Sequence, residues 1–226
     1  LALSIVYNNG TVPLSNFSPL TAWNVTVQTA VNTRIADIQF ALAQVSSIGL
    51  LRRQFSTLRF SSGLNTTSYG IVGHGLGGSV ATSLGLMDKS AAFSINLAGT
   101  PPLLNSSVQN APLFFFGRED VRRENDIHWP TTWSYLTGRA TEFDLNDSAI
   151  FDVTDVPVIV ELAMSEGDAN ENIDVWGLSG SSPQTGSRAV TCFIENIIKE
   201  QFKLDSQFRV LGDCVRMFPG VVPYGA

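Results

Sequence analysis

The chain has 226 residues, 44% hydrophobic and 15% charged, with a net charge of −6. That length suits a single domain over residues 1–226 with one sizeable core. The acidic balance excludes a nucleic-acid partner, because phosphate backbones are held by clustered Lys and Arg. No apolar run is long enough for a membrane span.

Taken in order, "LALSIVYN" (1–8) is a continuous apolar run stopped by Asn-Asn-Gly, the pattern of a buried parallel strand. The chain opens there without an initiator Met, which predicts an upstream piece such as a signal peptide. "SPLTAWN" reads as loop. Apolar residues at 27, 31, 35, 38, 42 and 45 then form the stripe of an amphipathic helix. "TTSYGIVGHGLGGSVATSLGLM" gives strand, tight turn and helix, while "AAFSINLAG" and "APLFFFGRE" (111–119) are further apolar strands. A short helix is expected around Trp133 to Leu136, before "RATEFDLND", and "VPVIVELAM" continues the apolar pattern. Residues 165–187 are polar and rich in Gly and Ser, which predicts a surface loop. A last helix over about 187–202 carries Val190, Ile194, Ile197 and Ile198 on one face. Strands alternating with helices predict an α/β fold with a mainly parallel sheet and flanking helices.

Six Asn-x-Ser/Thr sequons, at Asn9, Asn16, Asn24, Asn65, Asn105 and Asn146, exceed the chance expectation of about two and favour secretory passage. Compositional bias in loops is the other source of such an excess. Cys192 and Cys214 are either a disulfide closing a short C-terminal loop or two buried thiols. Secretory passage favours the disulfide. The two histidines, His74 and His128, form no Cys/His cluster, so no metal and no cofactor is expected.

The stretch "YGIVGHGLGGSV" (69–80) carries the functional question. Its strand–turn–helix layout matches a nucleophile elbow, where G-x-S-x-G presents a serine above a sheet. The apex here is Gly75. A phosphate-binding loop fits less well, since the glycine spacing differs from the dinucleotide fingerprint and no Gly-Lys-Ser/Thr ending follows.

"GHGLGG" closely resembles the "GHSLGG" elbow of α/β-hydrolases. Within that superfamily, residues 1 to 165 are similar to the platelet-activating-factor acetylhydrolase group and its fungal relatives. "TRIADIQFALAQV" resembles that group's Arg-x-x-Asp helix, with Arg34 and Asp37 matching. "INLAGTPPL" resembles the strand whose Asp is the triad acid, and Ala98 occupies that position. "ATEFDLND" resembles the segment that supplies the triad histidine. That register puts Glu142 at the histidine, Leu145 at an aromatic and Asp147 at a second carboxylate.

All three triad positions are therefore substituted, as Gly75, Ala98 and Glu142. Hydrolysis through an acyl-enzyme needs an oxygen nucleophile, an imidazole base and a carboxylate to orient it, so ordinary serine hydrolysis is not expected. The resemblance implies an apolar pocket lined by His74, Gly75, Leu76 and Asp147. Burial there would raise the Glu142 pKa, making it an acid–base candidate beside His128 in "NDIHWP". The other reading makes Glu142 a solvated loop residue and His128 a surface one.

Three functions follow: non-hydrolytic chemistry (cyclisation, isomerisation or elimination) on a hydrophobic small molecule such as a secondary metabolite; a non-catalytic binding protein for a lipid- or ester-like ligand; or a residual or relocated serine esterase. The family's earlier strands have no counterpart before "LALSIVY". This predicts a second chain completing the sheet, either a cleaved N-terminal fragment or an equivalent subunit.

Overall fold

The computed structural model describes residues 20–164, 183–204 and 210–224. The expected strand 1–8, the sequons Asn9 and Asn16, and residues 165–182 of the expected surface loop lie outside them.

Helix α1 (Leu20–Val45) and the short α2 (Ile48–Gln54) precede strand β1 (Tyr69–His74). Helix α3 (Leu76–Met87), β2 (Ala91–Leu97), β3 (Leu113–Arg118), α4 (Trp129–Tyr135) and β4 (Ala140–Leu145) follow. Helices α5 (Val156–Met164), α6 (Pro183–Gln201) and α7 (Val210–Met217) lead to β5 (Val221–Pro223). The five strands lie in the order β1-β2-β3-β4-β5. The first four are parallel, and β5 is antiparallel to β4. This is the expected α/β architecture.

Alternation along the strands separates two apolar layers. Phe93, Ile95, Leu97, Phe114, Phe116, Phe143 and Leu145 point to one face, where α6 supplies Val190, Phe193 and Ile197. On the other face Ile71 packs with α3 and with Val31 and Ile35 of α1, while Leu113 and Phe115 pack on Trp129 of α4. Within β2 the residues facing α3 are Ser94 and Asn96. Their small size and polarity let α3 close tightly on the sheet.

Several boundaries differ from the sequence reading. Helix α1 begins at Leu20, so "LTAWN" is helical rather than loop. The apolar run "VPVIVELAM" is α5, which exposes Val158, Ile159 and Leu162. Helix α6 begins at Pro183, taking in the last residues of the expected 165–187 loop. Pro at the first helical position removes only an N–H that would have had no intrahelical acceptor.

Cys192 of α6 and Cys214 of α7 form the disulfide, with Cα atoms 6.0 Å apart. Asn196 Nδ2 lies 3.0 Å from the Cys214 sulfur. Among the described residues β1 pairs only with β2, and Val72 on β1 is 43% exposed. No helix of the described residues is long and apolar enough to cross a membrane.

Candidate functional site

The elbow forms where β1 runs into α3. Gly75 has φ 55° and ψ −121°, a left-handed conformation that costs a side-chain-bearing residue backbone strain. Its N–H donates to the Leu97 carbonyl (2.8 Å), and its own carbonyl accepts from Gly78 N (2.9 Å) and Ser79 N (3.2 Å). The turn is close-packed from below. A Cβ at Gly73 would collide with the Gly77 carbonyl, and one at Gly99 with the Gly75 carbonyl. At Gly75 itself a Cβ would meet nothing within 4 Å. The apex has the shape and the room for a side chain, and it carries none.

Ala98 ends the neighbouring strand, its N–H bonded to the Phe116 carbonyl at 2.8 Å. It too is left-handed, with φ 50°. For a residue with a Cβ this conformation costs about 1–2 kcal/mol. The structure thus brings Gly75 and Ala98 to the ends of adjacent strands, both in turns that lift the backbone off the sheet.

Asn96, which the sequence reading passed over, ties these turns together. It is 1% exposed. Its Oδ1 accepts from Gly99 N (2.7 Å), and its Nδ2 donates to Gly99 O (2.8 Å) and Thr82 Oγ1 (2.9 Å). Thr82 in turn donates to Gly78 O at 2.9 Å. One buried amide therefore fixes the turn after β2 against the first turns of α3. An amide two residues after Ser94, inside the mostly apolar "AAFSINL", was the available signal.

His74 precedes the apex and is partly buried. Burial lowers its pKa, the Arg118 charge lowers it further, and a hydrogen bond from its ring to the Ile150 carbonyl opposes both. The imidazole therefore stays neutral at neutral pH, and it links the elbow to the turn after β4. Arg118, the last residue of β3, is 9% exposed, and its Nε lies 2.6 Å from Asp120 Oδ1. Leu76 packs against the α1–α3 apolar cluster. Asp147 lies in the turn after β4 with φ 53°.

His128 caps the start of α4. Its N–H and that of Trp129 donate to Asp126 Oδ1, both at 2.9 Å. Its Nδ1 lies 3.2 Å from the Pro101 carbonyl. Thr100 Oγ1 donates to Asp126 Oδ2 at 2.6 Å, so this corner fastens the loop after β2 to α4.

Glu142 stands elsewhere. The family resemblance puts it at the triad histidine, beside the elbow pocket, and the other reading puts it in a solvated loop; it is the third residue of β4, paired in register with Phe115. Its side chain is 1% exposed, and Oε2 lies 2.8 Å from Arg123 Nη2. The Arg123 guanidinium sits between two rings, 4.4 Å from the Trp133 centroid and 3.8 Å from that of Tyr224. Burial pushes the Glu142 carboxyl up to about 7; Asp144 and Glu124 add to this and Arg123 opposes it. Asp144, two residues along the same face, is also raised, chiefly by burial. Glu142 and Asp144 alternate with the core residues Phe143 and Leu145, so the polar face of β4 meets the Arg122–Arg123 loop, a meeting that local sequence does not show.

The three sequons with described side chains, Asn65, Asn105 and Asn146, are exposed. Asn24 falls in α1, in a stretch whose side chains are not described. Among the described residues no cluster of His, Cys, Asp and Glu is suited to a metal ion.

No family model and no curated protein matches the chain. Among solved structures it is similar to a ferulic acid esterase from Streptomyces cinnamoneus, with a TM-score of 0.65 and 19% identity. The match covers 88% of this chain and 56% of that one, so this chain spans little more than half the esterase's length. The sheet, its flanking helices and this likeness give the α/β-hydrolase-type fold.

Proposed function

We propose that this chain is a non-hydrolytic protein of α/β-hydrolase type that takes a hydrophobic small molecule over the Gly75 elbow. The apex carries the reading: it keeps the strained elbow conformation, has open space where a nucleophile would stand, and ends in glycine. The only two histidines of the chain support it, since each ring is bonded to a backbone carbonyl, that of Ile150 or Pro101. Among the described residues neither ring has a hydroxyl as its hydrogen-bond partner, the arrangement a general base would need. The resemblance to platelet-activating-factor acetylhydrolase-like proteins, with Ala98 in place of the acid, fits the same loss of ester hydrolysis.

A fluorophosphonate probe and a series of p-nitrophenyl esters of increasing acyl length test this. The expected result is no serine labelling, no release of p-nitrophenolate, and a Tm that rises with acyl length. Labelling of any serine, or turnover, would restore the esterase reading. A Tm that no ester raises would refute binding at the elbow.

A second reading puts proton chemistry away from the elbow, with Glu142 of the Arg123–Asp144 cluster as acid or base, because its carboxyl is held near neutrality. Mass spectrometry of an ester that raises the Tm, after incubation with wild type and Glu142→Gln, separates the two. A rearranged product formed only by wild type supports chemistry, and recovery of unchanged ester from both supports binding alone.

Secretory origin belongs to the same proposal, supported by the sequons and the Cys192–Cys214 disulfide. Glycosidase treatment of material from its native source should lower its mass. A further polypeptide along the outer side of β1 is also proposed, supported by the exposure of Val72 there. Intact-mass analysis finding only this chain, folded and monomeric, would remove it.

A further inference from the structure

The charged cluster around Glu142 lies away from the elbow and joins three parts of the chain. The loop after β3 supplies Arg122, Arg123 and Glu124, strand β4 supplies Glu142 and Asp144, and Tyr224 follows β5. Strand β5 is only three residues long and lies at the edge of the sheet, with Val222 39% exposed. Its residue Pro223 has no N–H to give to the ladder. Its last tie to β4 is the Tyr224 N–H, which donates to the Glu142 carbonyl at 3.0 Å. The side chains repeat that tie. Glu142 holds Arg123 at 2.8 Å, and Arg123 lies under the Tyr224 ring at 3.8 Å.

We infer that the Glu142–Arg123 pair is a proton-sensitive latch that fastens β5 and Tyr224 to the edge of the sheet. The argument is geometric. Among the described residues the ion pair that Arg123 makes in its slot between Trp133 and Tyr224 is with Glu142, whose own side chain is 1% exposed. A buried guanidinium needs its counter-charge, and once that carboxylate is protonated the arginine gains by turning to water. The arginine side chain is 19% exposed, so the path to solvent is short. Its departure removes the cation beneath Tyr224, leaving β5 with a few edge-strand hydrogen bonds.

The other charges facing Glu142 set the direction. Asp144 on the same strand and Glu124 on the neighbouring loop both favour proton uptake by Glu142, while Arg123 resists it. Arg122 acts mainly on Asp144. Tyr224 is hydrogen-bonded to Glu124, which lowers the Glu124 pKa and keeps that side chain ionised through the neutral range. Glu142 is therefore the group that changes charge first as the solution is acidified, because it is the carboxylate held near neutrality. The released piece is short. The Cys192–Cys214 disulfide fastens α7 to α6, so undocking stops at about Phe218.

Hydrogen exchange on the intact chain tests the latch, reading the Tyr224 amide against the Phe115 amide in the core, each corrected for its intrinsic rate. Between pH 8 and pH 5.5, Tyr224 protection should fall roughly two- to fivefold, the scale of one cation–π contact on an exposed ring, while that of Phe115 holds. Glu142→Gln should show the low protection at both pH values, and Arg123→Met should remove the pH dependence while leaving Glu142 in place. Equal Tyr224 protection across this pH range in wild type would overturn the inference without any variant. So would a Glu142→Gln protein that keeps the protection wild type shows at pH 8. No ligand is involved, so the result is independent of the elbow's function.

Discussion

Replacing Asn96 with alanine deletes the side chain that joins the two turns of the elbow. Asn96 makes three side-chain hydrogen bonds of 2.7 to 2.9 Å, two to the Gly99 backbone and one to Thr82. Alanine leaves the Gly99 N–H and carbonyl without these partners in a region where Gly99 is itself buried. Each orphaned group costs about 1–3 kcal/mol, and the two share one environment, so the sum is about 3–4 kcal/mol rather than a simple total. Thr82 loses little, because its hydroxyl keeps its bond to the Gly78 carbonyl. Urea unfolding followed by far-ultraviolet circular dichroism measures the change. For a chain of this size the corresponding fall in Tm is about 6–16 °C. Asn96→Asp keeps the acceptor for Gly99 N–H but loses both donated bonds and buries a charge, so it should not rescue the alanine variant. A loss below about 1 kcal/mol for Asn96→Ala would refute the reasoning, showing that packing of the glycines alone sets the turn.

Gly75→Ser should fold, since its Cβ meets open space, at a cost of about 1–3 kcal/mol from the positive φ. It should gain no p-nitrophenyl esterase activity, because neither His74 nor His128 is free to serve the new hydroxyl; measurable burst kinetics would contradict this. Stability should depend on pH through Glu142. Its folded pKa of about 7 lies above the ordinary 4.5, so the folded state holds more protons between those values. Stability from this group is greatest below pH 4.5 and is lost as pH rises through 7, by about 3 kcal/mol at 1.36 kcal/mol per unit. Urea titrations of wild type against Glu142→Gln should show this slope flattened in the variant. Breaking the Cys192–Cys214 bond by Cys192→Ser/Cys214→Ser should cost about 3 kcal/mol for a loop of 22 residues, read as a lower Tm that reductant does not change further.

The parts of the fold legible in the sequence are those written in local pattern. "YGIVGHGLGG" shows its turn because Gly73 and Gly78 are required by the close approach of the Gly77 carbonyl and the Asn96 side chain, and Gly75 is favoured by its positive φ. The helix through Val31 and Ile35 is visible because an apolar stripe at helical spacing has only one face to bury. Strands β2 and β3 read clearly because they are covered on both sides. Short α2, α7 and β5 escaped notice, since each holds only one or two repeats of the helical or strand period.

The functional elements divide along the same line. Sequence alone determined that a glycine, Gly75, stands at the apex of the turn, that an alanine, Ala98, follows the next strand, and that two cysteines are available to pair. These are identities at positions, and identities are local. Only the tertiary structure decided what Glu142 and Asn96 do. Whether a carboxylate faces water, a pocket or an arginine depends on which strand lies beside it and which loop crosses over it. Arg123 is 19 residues away along the chain, and Tyr224 is 82 away. Their meeting at Glu142 is set by the order of strands in the sheet, a long-range choice made by packing.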